Sequence, residues 1–418
     1  MIYNDEKIIS IFKEMLRINT TNPPGDEHLL CAYIASIFDE HNIEYEIVKK
    51  GEKRENIIAR KGPHNSTPPI ILISHLDVVS TEGQEWSYPP FDAVEVEKII
   101  YGRGTVDTKH LTVMELIAFL SVDETTLDRP LYFVATSDEE KGSEYGMRYV
   151  AELYKEEFKG GSVLNEGGGF YVENGDDGYF LITMGEKGRC DVKVSIKGDS
   201  GPSSFKSNNK AVDTFTTLLE RMSSYDFKEE ENPVSIRFNE MIKEPIQDKF
   251  LSHFKHYNSH NAFILNSYDI GNQINVLPYS IQFDFAIQLL PGKTLNDATE
   301  ILESLFDGIA ATYEISAFLP GFISSLDTPL YRAADEYVPS YFEGGPLLPV
   351  FALGRTDGRF LGQLGCDVYG FSPVNKEIDF HTILTLVHQV DERIDTGSIL
   401  QGSALFTHML NQQNRRTT

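Results

Sequence analysis

The sequence predicts an α/β protein in which a mostly parallel sheet is flanked by helices and interrupted by a small α+β insert. Before Gly188, short apolar runs alternate with amphipathic helical segments, a pattern typical of βαβ units. After Gly188, apolar and polar residues alternate with a period of two. The earlier alternation of apolar runs and helical segments returns near residue 318. We therefore predict one α/β domain formed by residues 1–188 and 318–418, with residues 189–317 as the insert.

Each element follows from its hydrophobic periodicity. In the first part, apolar residues at helical spacing predict helices over 5–18, 27–40, 108–121 and 143–157. Apolar runs there predict strands over 44–48, 55–60, 69–74 and 131–136. In the insert, the same criteria predict strands over 190–197 and 281–289, helices over 211–224 and 295–308, and a loop over 198–209. In the last part, they predict helices over 328–337 and 398–412 and a strand over 367–371.

The composition argues against several classes of partner. Lys and Arg number 37 against 63 Asp and Glu, a formal charge of −26, so the basic surface that nucleic acid or an anionic membrane requires is missing. The three cysteines have no disulfide or zinc-finger spacing. The N-terminus lacks a basic segment followed by an apolar one, and no uninterrupted apolar window approaches the length of a membrane span. We therefore expect a cytoplasmic protein with no nucleic acid or membrane partner.

The most informative stretch is PIILISHLDVV, residues 69–79. Ile70–Ile73 form an apolar run typical of a strand buried on both faces. His75 and Asp77 follow, and residues two apart on an extended chain point the same way. They can therefore face one pocket beyond the carboxyl end of a central strand, where open α/β sheets bind ligands. Two polar residues at a solvated strand end would be the ordinary explanation.

Further polar residues follow predicted strands or precede predicted helices. Asp107 follows a glycine-rich turn, Glu139 and Glu140 follow the LYFVAT strand, Glu166 precedes three glycines, and His388 lies in HQVDER. Each alone could be a helix cap, a solvated face or a structural histidine. Together with His75 they form a His and carboxylate set of the kind that binds zinc and similar divalent ions. Two metals about 3.5–4 Å apart need one bridging carboxylate and terminal ligands on each side, and this set suffices with one carboxylate left as a base.

Six motifs carry a resemblance to a known family. They are SHLDVV, YGRGTVDTK, SDEEKGSEYG, NEGGG, GRTDGR and HQVDER. In this order they resemble the di-zinc metallopeptidase family that includes aminoacylase, yeast carboxypeptidase S, acetylornithine deacetylase and succinyl-diaminopimelate desuccinylase. The segments INTTNPPGDE and YGFSP are also similar to that family's flanking signatures. The resemblance covers both sides of the insert, about two thirds of the chain.

The resemblance implies a metal ligand set. One metal would be held by His75, Asp107 and Glu166, and the other by Asp107, Glu140 and His388, so that Asp107 bridges the two. The expected cofactors are two divalent ions, most often zinc in this family, with cobalt or manganese as alternatives.

The resemblance also implies catalytic roles. Glu139 corresponds to the family's general base, and Asp77 to the carboxylate that orients the imidazole of His75. The Asp107–Thr108 peptide bond is expected to be cis. The implied activity is that of a metallopeptidase or deacylase, which cleaves an amide bond of a small peptide or an N-acyl amino acid with a metal-activated water.

The insert departs from the family pattern. The family's Gly-His-Ser-Ser segment is 201–204 here, with Pro202 in place of the histidine that stabilises the oxyanion. Gln288 stands where the family tends to have an arginine for the substrate carboxylate. Asn275 matches a substrate-binding asparagine, and Arg359 in GRTDGR is a further candidate for binding the substrate.

Several alternatives remain open at this point. Arg359 could instead form a surface ion pair with Asp357. The altered lid could belong to a catalytically weak or non-catalytic metal-binding relative, and the site could hold a single metal. Family lids often form homodimers, so the insert is a candidate dimer interface, although Pro202 weakens the catalytic reason for dimerisation.

Overall fold

The computed structural model describes residues 1–65, 67–202, 204, 207–271 and 275–413. The chain divides into two compact units. The first unit comprises residues 1–185, 237–252 and 323–418, and the second comprises residues 186–236 and 253–322. Residues 237–252 thus belong to the first unit, whereas the sequence pattern predicts them in the insert.

The helices and strands are numbered in chain order. The helices are α1 Asp5–Arg17, α2 Glu27–Glu40, α3 Lys109–Ser121, α4 Met147–Leu153, α5 Lys155–Phe158, α6 Ala211–Ser224, α7 Pro233–Met241, α8 Lys249–Tyr257, α9 Leu295–Phe306, α10 Pro329–Tyr341, α11 Gly358–Gly362, α12 Phe380–Ile383 and α13 Thr396–Gln413. The strands are β1 Tyr45–Gly51, β2 Arg54–Lys61, β3 Ile70–His75, β4 Val94–Val96, β5 Ile99–Tyr101, β6 Leu131–Thr136, β7 Ser162–Asn165, β8 Tyr171–Asn174, β9 Asp177–Glu186, β10 Gly188–Lys197, β11 Gly201–Pro202, β12 Ala262–Asp269, β13 Val276–Leu277, β14 Ser280–Leu289, β15 Ala311–Leu319, β16 Phe322–Ile323, β17 Leu347–Ala352, β18 Asp367–Gly370 and β19 Arg393–Asp395.

The first unit is built on a mixed sheet whose centre is parallel. Its order is β1-β2-β6-β3-β7-β18-β9-β16, with β8 and β17 also paired to β9. The pairs β6–β3, β3–β7 and β7–β18 are parallel, and β1, β2 and β9 join the sheet by antiparallel pairs. Every residue of β3 and β6 is buried, as their apolar sequences predict. The parallel centre therefore brings the carboxyl ends of four strands to one edge.

Helix α3 connects this sheet to the outer helices. Its first twelve residues, Lys109–Leu120, are all buried, and it contacts β3, β6, α1 and α13. A helix that is buried on all sides carries no polar stripe, which explains its weak amphipathicity. Because α3 begins at Lys109, two residues after Asp107, the position of that carboxylate is fixed by a helix in the core.

The second unit is a four-stranded antiparallel sheet of order β12-β14-β10-β15 with helices α6 and α9. On β10 the inward residues Cys190, Val192, Val194 and Ile196 are buried and their neighbours face outward, as the alternation predicts. They join Phe283, Leu302 and other apolar residues of β14, α6 and α9 in a separate core. The predicted α/β class with an α+β insert is confirmed.

Some element boundaries differ from the prediction. The helix predicted over 143–157 is two short helices, α4 and α5, that begin only at Met147. Residues 143–146 instead form a turn, in which the Tyr145 N–H donates to Asp138 Oδ2 over 3.1 Å. The predicted loop over 198–209 contains Ser203, Phe205 and Lys206, which lie outside the described residues. No helix in the described part of the chain is both long and apolar enough to cross a membrane.

Candidate metal centre

The carboxyl ends of the central parallel strands carry the candidate ligands. His75 is the last residue of β3 and is in register with Thr136, the last residue of β6. Glu139 lies three residues beyond that strand in a short 3₁₀ turn, and Glu166 directly follows β7. Since these strands run parallel, their ends meet at one edge of the sheet, which is where such sheets bind ligands.

Asp107 lies between the two candidate histidines. Its Oδ1 is 3.0 Å from His75 Nε2, and its Oδ2 is 2.9 Å from His388 Nε2. The peptide bond between Asp107 and Thr108 is cis, which confirms that prediction. His388 lies in the loop after α12 rather than on a helix, and its φ of 62° is in the left-handed region. One carboxylate therefore faces two imidazoles, one with each oxygen.

Glu140 and Glu166 lie on opposite sides of this carboxylate. Glu166 Oε2 is 3.5 Å from His75 Nε2, and Glu140 Oε1 is 3.3 Å from His388 Nε2. The ligand atoms of His75, Asp107 and Glu140 all lie within 4.8 Å of one another, as do those of His75, Glu139 and Glu166. All five predicted ligands and the predicted base are thus brought together in the first unit.

The electrostatics of the two histidines reflect the acidic surroundings. Although burial lowers the pKa of His75, the charges of Glu166 and Asp107 outweigh it and raise the pKa well above its usual range. Hydrogen bonds to Asp107 and Glu140 raise the pKa of His388 to about 10. Burial alone would raise the pKa of Asp107, but hydrogen bonds from both histidines hold it below its usual range. Positive charge is therefore favoured on both sides of Asp107.

Glu139 has the environment of a carboxylate that can take up a proton. Burial and the nearby negative charge of Glu166 raise its pKa well above the usual range. Its Oε1 is 3.8 Å from an Arg359 guanidinium nitrogen. A carboxylate with a raised pKa holds a proton more readily near neutral pH, as a general base requires after the transfer.

Asp77 makes contacts different from those expected of an orienting carboxylate. The Nδ1 of His75 lies 2.9 Å from the backbone carbonyl oxygen of Asp77, and its carboxylate is more distant, at 3.6 Å. That carboxylate accepts hydrogen bonds from the backbone N–H groups of Glu139 (3.1 Å) and Glu140 (3.2 Å) and from the Asn22 amide (2.8 Å). The expected hydrogen bond between the two side chains is thus replaced by one to the backbone, and the carboxylate fixes the turn that carries Glu139 and Glu140.

Arg359 is buried and does not form the surface ion pair that the sequence left open. It donates to the carbonyl oxygen of Thr356, and to Ser143 Oγ over 3.0 Å. Asp357 is also buried, and it accepts hydrogen bonds from Ser143 Oγ (2.5 Å) and Thr136 Oγ1 (2.8 Å). The guanidinium is therefore held beside Glu139 by an internal hydrogen-bond network.

A family model described as peptidase family M20/M25/M40 matches residues 71–412, most of the chain. The chain belongs to this family. It is 26% identical to the human N-fatty-acyl-amino acid synthase/hydrolase PM20D1 over 84% of this chain and 75% of that protein. It is also 26% identical to a probable succinyl-diaminopimelate desuccinylase of Staphylococcus aureus strain MSSA476 over 97% of both chains. The chain is therefore a hydrolase of the M20 family.

Solved structures share the fold of this M20 hydrolase. The M20 metallo-carboxypeptidase Sso-CP2 of Sulfolobus solfataricus superposes with a TM-score of 0.73 at 16% identity and covers 98% of both chains. The Bacillus subtilis YXEP protein, described as a dinuclear metal binding peptidase, gives 0.65 at 13% identity and also covers 98% of both chains. At these identities the likeness establishes the fold.

The candidate substrate residues of the second unit are described within that unit alone. Asn275 is exposed, with a φ of 63° in the left-handed region. Pro202 lies on β11, which pairs with Val276 of β13, and the neighbouring Ser203 lies outside the described residues. Gln288 lies on β14, opposite Arg189 of β10.

Sequence reasoning missed a group that supports the Glu139 turn. The Asn22 amide donates to Asp77 Oδ2 and also to Asp138 Oδ1, over 3.1 Å. The Arg54 guanidinium donates to Asp138 over 2.9 Å and to Glu27 over 2.8 Å. Asn22 lies in the segment INTTNPPGDE, which resembles a signature of the family. Its hydrogen bonds could not be predicted, because its partners Asp77 and Asp138 are far away in the sequence.

The donor set fits two divalent metal ions. Four carboxylates, from Asp107, Glu139, Glu140 and Glu166, converge with two imidazoles, and two divalent cations would balance their charge. Glu140 Oε1 is buried, and within the described part of the chain its one polar contact is to His388 Nε2 at 3.3 Å, as suits an atom that binds a cation beside that imidazole. Carboxylate and imidazole donors are those that zinc accepts. The chain's own residues thus fit the metals that the family uses.

Proposed function

We propose that this protein hydrolyses the amide bond of a small peptide or an N-acyl amino acid at a centre of two divalent metal ions, which we expect to be zinc. The observation that carries the proposal is the placement of Asp107 between His75 and His388, with one carboxylate oxygen toward each imidazole at 3.0 and 2.9 Å. A carboxylate with both oxygens engaged in this way suits a bridge between two metals. His75 and Glu166 would complete one metal, and Glu140 and His388 the other.

The chemistry is divided between the metals and Glu139. Two bound divalent ions would supply a water that loses its proton near neutral pH and positive charge for the carbonyl oxygen of the scissile bond. Glu139 accepts the proton of that water, and its raised pKa allows it to hold the proton. The hydroxide that remains adds to the carbonyl carbon, the C–N bond breaks, and Glu139 gives the proton to the leaving amine nitrogen. The Asp77 carboxylate keeps Glu139 in place, because it accepts a hydrogen bond from the backbone N–H of Glu139.

Arg359 is the candidate for binding an anionic group of the substrate. It is buried in the first unit, 3.8 Å from Glu139, and is held by Ser143 and Thr356. One relative, the human PM20D1, is described as an N-fatty-acyl-amino acid synthase/hydrolase, and an N-acyl amino acid carries a carboxylate. Asn275 remains a second candidate from the second unit.

The second unit is the proposed dimer interface. In its sheet, β12 is an edge strand, and Leu265 and Tyr268 on it are exposed. An unpaired edge offers backbone hydrogen bonds to a second copy of the same strand. Sedimentation at several protein concentrations should show a dimer that substitution of Leu265 by Lys dissociates.

A substrate panel tests the proposed function. The purified protein is stripped with chelator and reloaded with zinc, cobalt or manganese, and it is then offered dipeptides, N-succinyl amino acids and N-fatty-acyl amino acids. We expect amide hydrolysis that the chelator abolishes, with about two metal ions bound per chain. Two bound metals without turnover would support the alternative of a non-catalytic metal-binding relative, and one bound metal would rule out the two-metal centre.

A further inference from the structure

A fully buried carboxylate lies behind the loop that carries Asp107. Glu392 accepts hydrogen bonds from the backbone N–H groups of Gly104 (3.1 Å), Val106 (2.7 Å) and Asp107 (3.2 Å). It also accepts one from Arg103 over 2.7 Å. These donors surround the carboxylate, and an ionised carboxylate has the acceptor capacity for all of them. Glu392 therefore fixes the backbone of the Asp107 loop from behind.

Its partner Arg103 fixes the loop that carries His388. The guanidinium donates to the carbonyl oxygens of Gln389 (3.1 Å) and His388 (3.3 Å) and to Gln84 Oε1 (3.0 Å). The Gln84 amide also donates to the His388 carbonyl over 3.4 Å. A non-glycine residue at positive φ persists only where its surroundings hold it, and the carbonyl contacts hold His388 in this way.

We propose that the Arg103–Glu392 pair is a positioning device that sets Asp107 and His388 relative to each other and thereby sets the affinity for the metal they share. The two ligands are far apart in the sequence, and this ion pair is bonded to the backbone of both loops. The inference rests on the proposed two-metal centre. Neither Arg103 nor Glu392 is a ligand in it, and both act through the backbone of the ligands.

The simpler explanation is a buried ion pair that only stabilises the fold, and Lys61 provides a control for that explanation. Lys61 lies in the first unit and is 6% exposed. Like Arg103, it donates hydrogen bonds to backbone carbonyl oxygens, in this case three near the end of α3 at 2.8, 3.3 and 3.2 Å. Substitution of Lys61 by Met therefore removes a buried ionisable group whose described hydrogen bonds do not reach the Asp107 or His388 loops.

The single tryptophan reports on this device. The Trp86 ring centroid lies 5.0 Å from Arg103 Cζ, and its indole N–H donates to Gln84 Oε1 over 3.1 Å. Tryptophan fluorescence therefore senses the group that holds the His388 loop. It provides a signal of metal binding that is independent of activity.

The experiment compares full-length wild type, Glu392→Gln and Lys61→Met. Each metal-stripped protein is titrated with zinc buffered by a chelator, and both zinc stoichiometry and Trp86 fluorescence are followed. We expect wild type to bind two zinc ions. In Glu392→Gln, we expect one of the two sites to weaken by about 10–100-fold, with the fluorescence change at correspondingly higher zinc. Lys61→Met should lower the melting temperature, because buried carbonyl oxygens lose their donor, and leave both zinc affinities as in wild type.

Other outcomes would overturn the inference. If Glu392→Gln lowers the melting temperature as Lys61→Met does and keeps both zinc affinities, the pair is only structural, and the two-metal proposal stands. A wild type that binds no zinc would reject the two-metal proposal and this inference together. If Glu392→Gln does not fold, Arg103→Lys is tested instead. Lysine keeps the positive charge but lacks the guanidinium N–H groups that bond to Glu392 and to the His388 loop. The same selective loss of affinity is then expected, and unchanged affinity overturns the inference.

Discussion

Individual carboxylates in this centre act by holding backbone N–H groups. The Asp77 carboxylate accepts hydrogen bonds from the backbone N–H groups of Glu139 and Glu140. The Glu392 carboxylate accepts one from the backbone N–H of Asp107. Hydrogen bonds to a charged acceptor are stronger than neutral ones, so each of these carboxylates fixes a loop firmly. The ligand side chains are therefore placed by anchored backbone rather than by contacts among themselves.

The adjacent residues Glu139 and Glu140 should have separable roles. Glu139→Gln keeps the shape of the side chain but removes the base, so we expect turnover to fall by about 10²–10⁴-fold while both metals remain bound. Glu140→Gln should instead lose one metal, because a ligand charge next to His388 is removed. Steady-state kinetics and metal analysis of both variants check this. Loss of metal from Glu139→Gln or full activity in that variant would contradict the assignment.

The sequence indicates the residues of the centre better than the bonds among them. His75, Asp107 and His388 stand in recognisable motifs, and the structure brings them together. The hydrogen bonds of Asp77 could not be predicted, because they depend on a turn at Glu139 that approaches only in the folded chain. Glu392 lies in the quoted HQVDER segment, yet its partners near Gly104 lie far away in the sequence.

At the level of strands, the close packing of β18 against the end of β7 holds Glu166. Gly370 is in register with Asn165, the residue before Glu166. A Cβ on Gly370 would lie 2.0 Å from Thr183 Oγ1 and 2.3 Å from the carbonyl oxygen of Glu166. Glycine is therefore required at this position by the approach of a neighbouring strand.

Gly370→Ala should damage the centre through β18. The added methyl group must displace the Glu166 backbone, so we expect a loss of about 1–3 kcal/mol in the free energy of unfolding together with weaker metal binding. Gly354→Ala is the control, because a Cβ there meets no atom within 4 Å. Denaturant unfolding and metal titration of both variants provide the measurement. If Gly370→Ala keeps wild-type stability and metal affinity, β18 and the Glu166 backbone accommodate the methyl group without cost, and the prediction is wrong.

In the second unit, the segment that enters β10 contains a lysine with a strongly shifted pKa. Burial lowers the pKa of Lys187 to about 7, and its ammonium group donates to the carbonyl of His260 and lies 3.7 Å from the Tyr257 ring centroid. Lysine in an unfolded chain keeps its proton up to a pH of about 10.4. Between these values the unfolded state binds the additional proton, so stability should rise with pH.

Lys187→Met should remove that part of the pH dependence. In wild type, we expect this group to make the second unit more stable at a pH of about 9.5 than at about 7. The variant should show a smaller difference, and Lys193→Met, a change at an exposed position on β10, should retain it. Urea unfolding followed by circular dichroism at both pH values makes the comparison. Equal pH dependence in wild type and Lys187→Met would rule out the shift.

Strands and helices with strong periodicity were predictable, and those set by tertiary contacts were not. The buried strands near 69–74 and 131–136 and the alternating strand over 190–197 occur as β3, β6 and β10. The helix predicted over 143–157 begins late, because the Asp138 carboxylate holds the Tyr145 N–H in a turn. The segment 237–252 was assigned to the insert, because its sequence does not show which core it packs against.

Across the whole chain, the two compact units have separate cores, and every candidate metal ligand lies in the first. Its ligands come from residues 75 to 388, so metal binding links the first and the last of the three chain segments of that unit. The second unit has its own apolar core between its sheet and helices α6 and α9. Metal should therefore stabilise one unit selectively.

The affinity for zinc should depend on pH. Because metal must displace a proton from His388, whose pKa is raised to about 10, zinc affinity should increase from a pH of about 7 to about 9.

Removal of metal should lower the stability of the first unit alone. A metal that binds only the folded state, present at 100 times its dissociation constant, adds about 2.7 kcal/mol to the free energy of unfolding, and chelator should remove this contribution. The single tryptophan, Trp86, lies in the first unit and reports its unfolding, while circular dichroism reports both units. We expect chelator to move the fluorescence transition to lower temperature and to leave a second, metal-independent transition in circular dichroism. One transition that shifts as a whole in both signals would show that the two units unfold together.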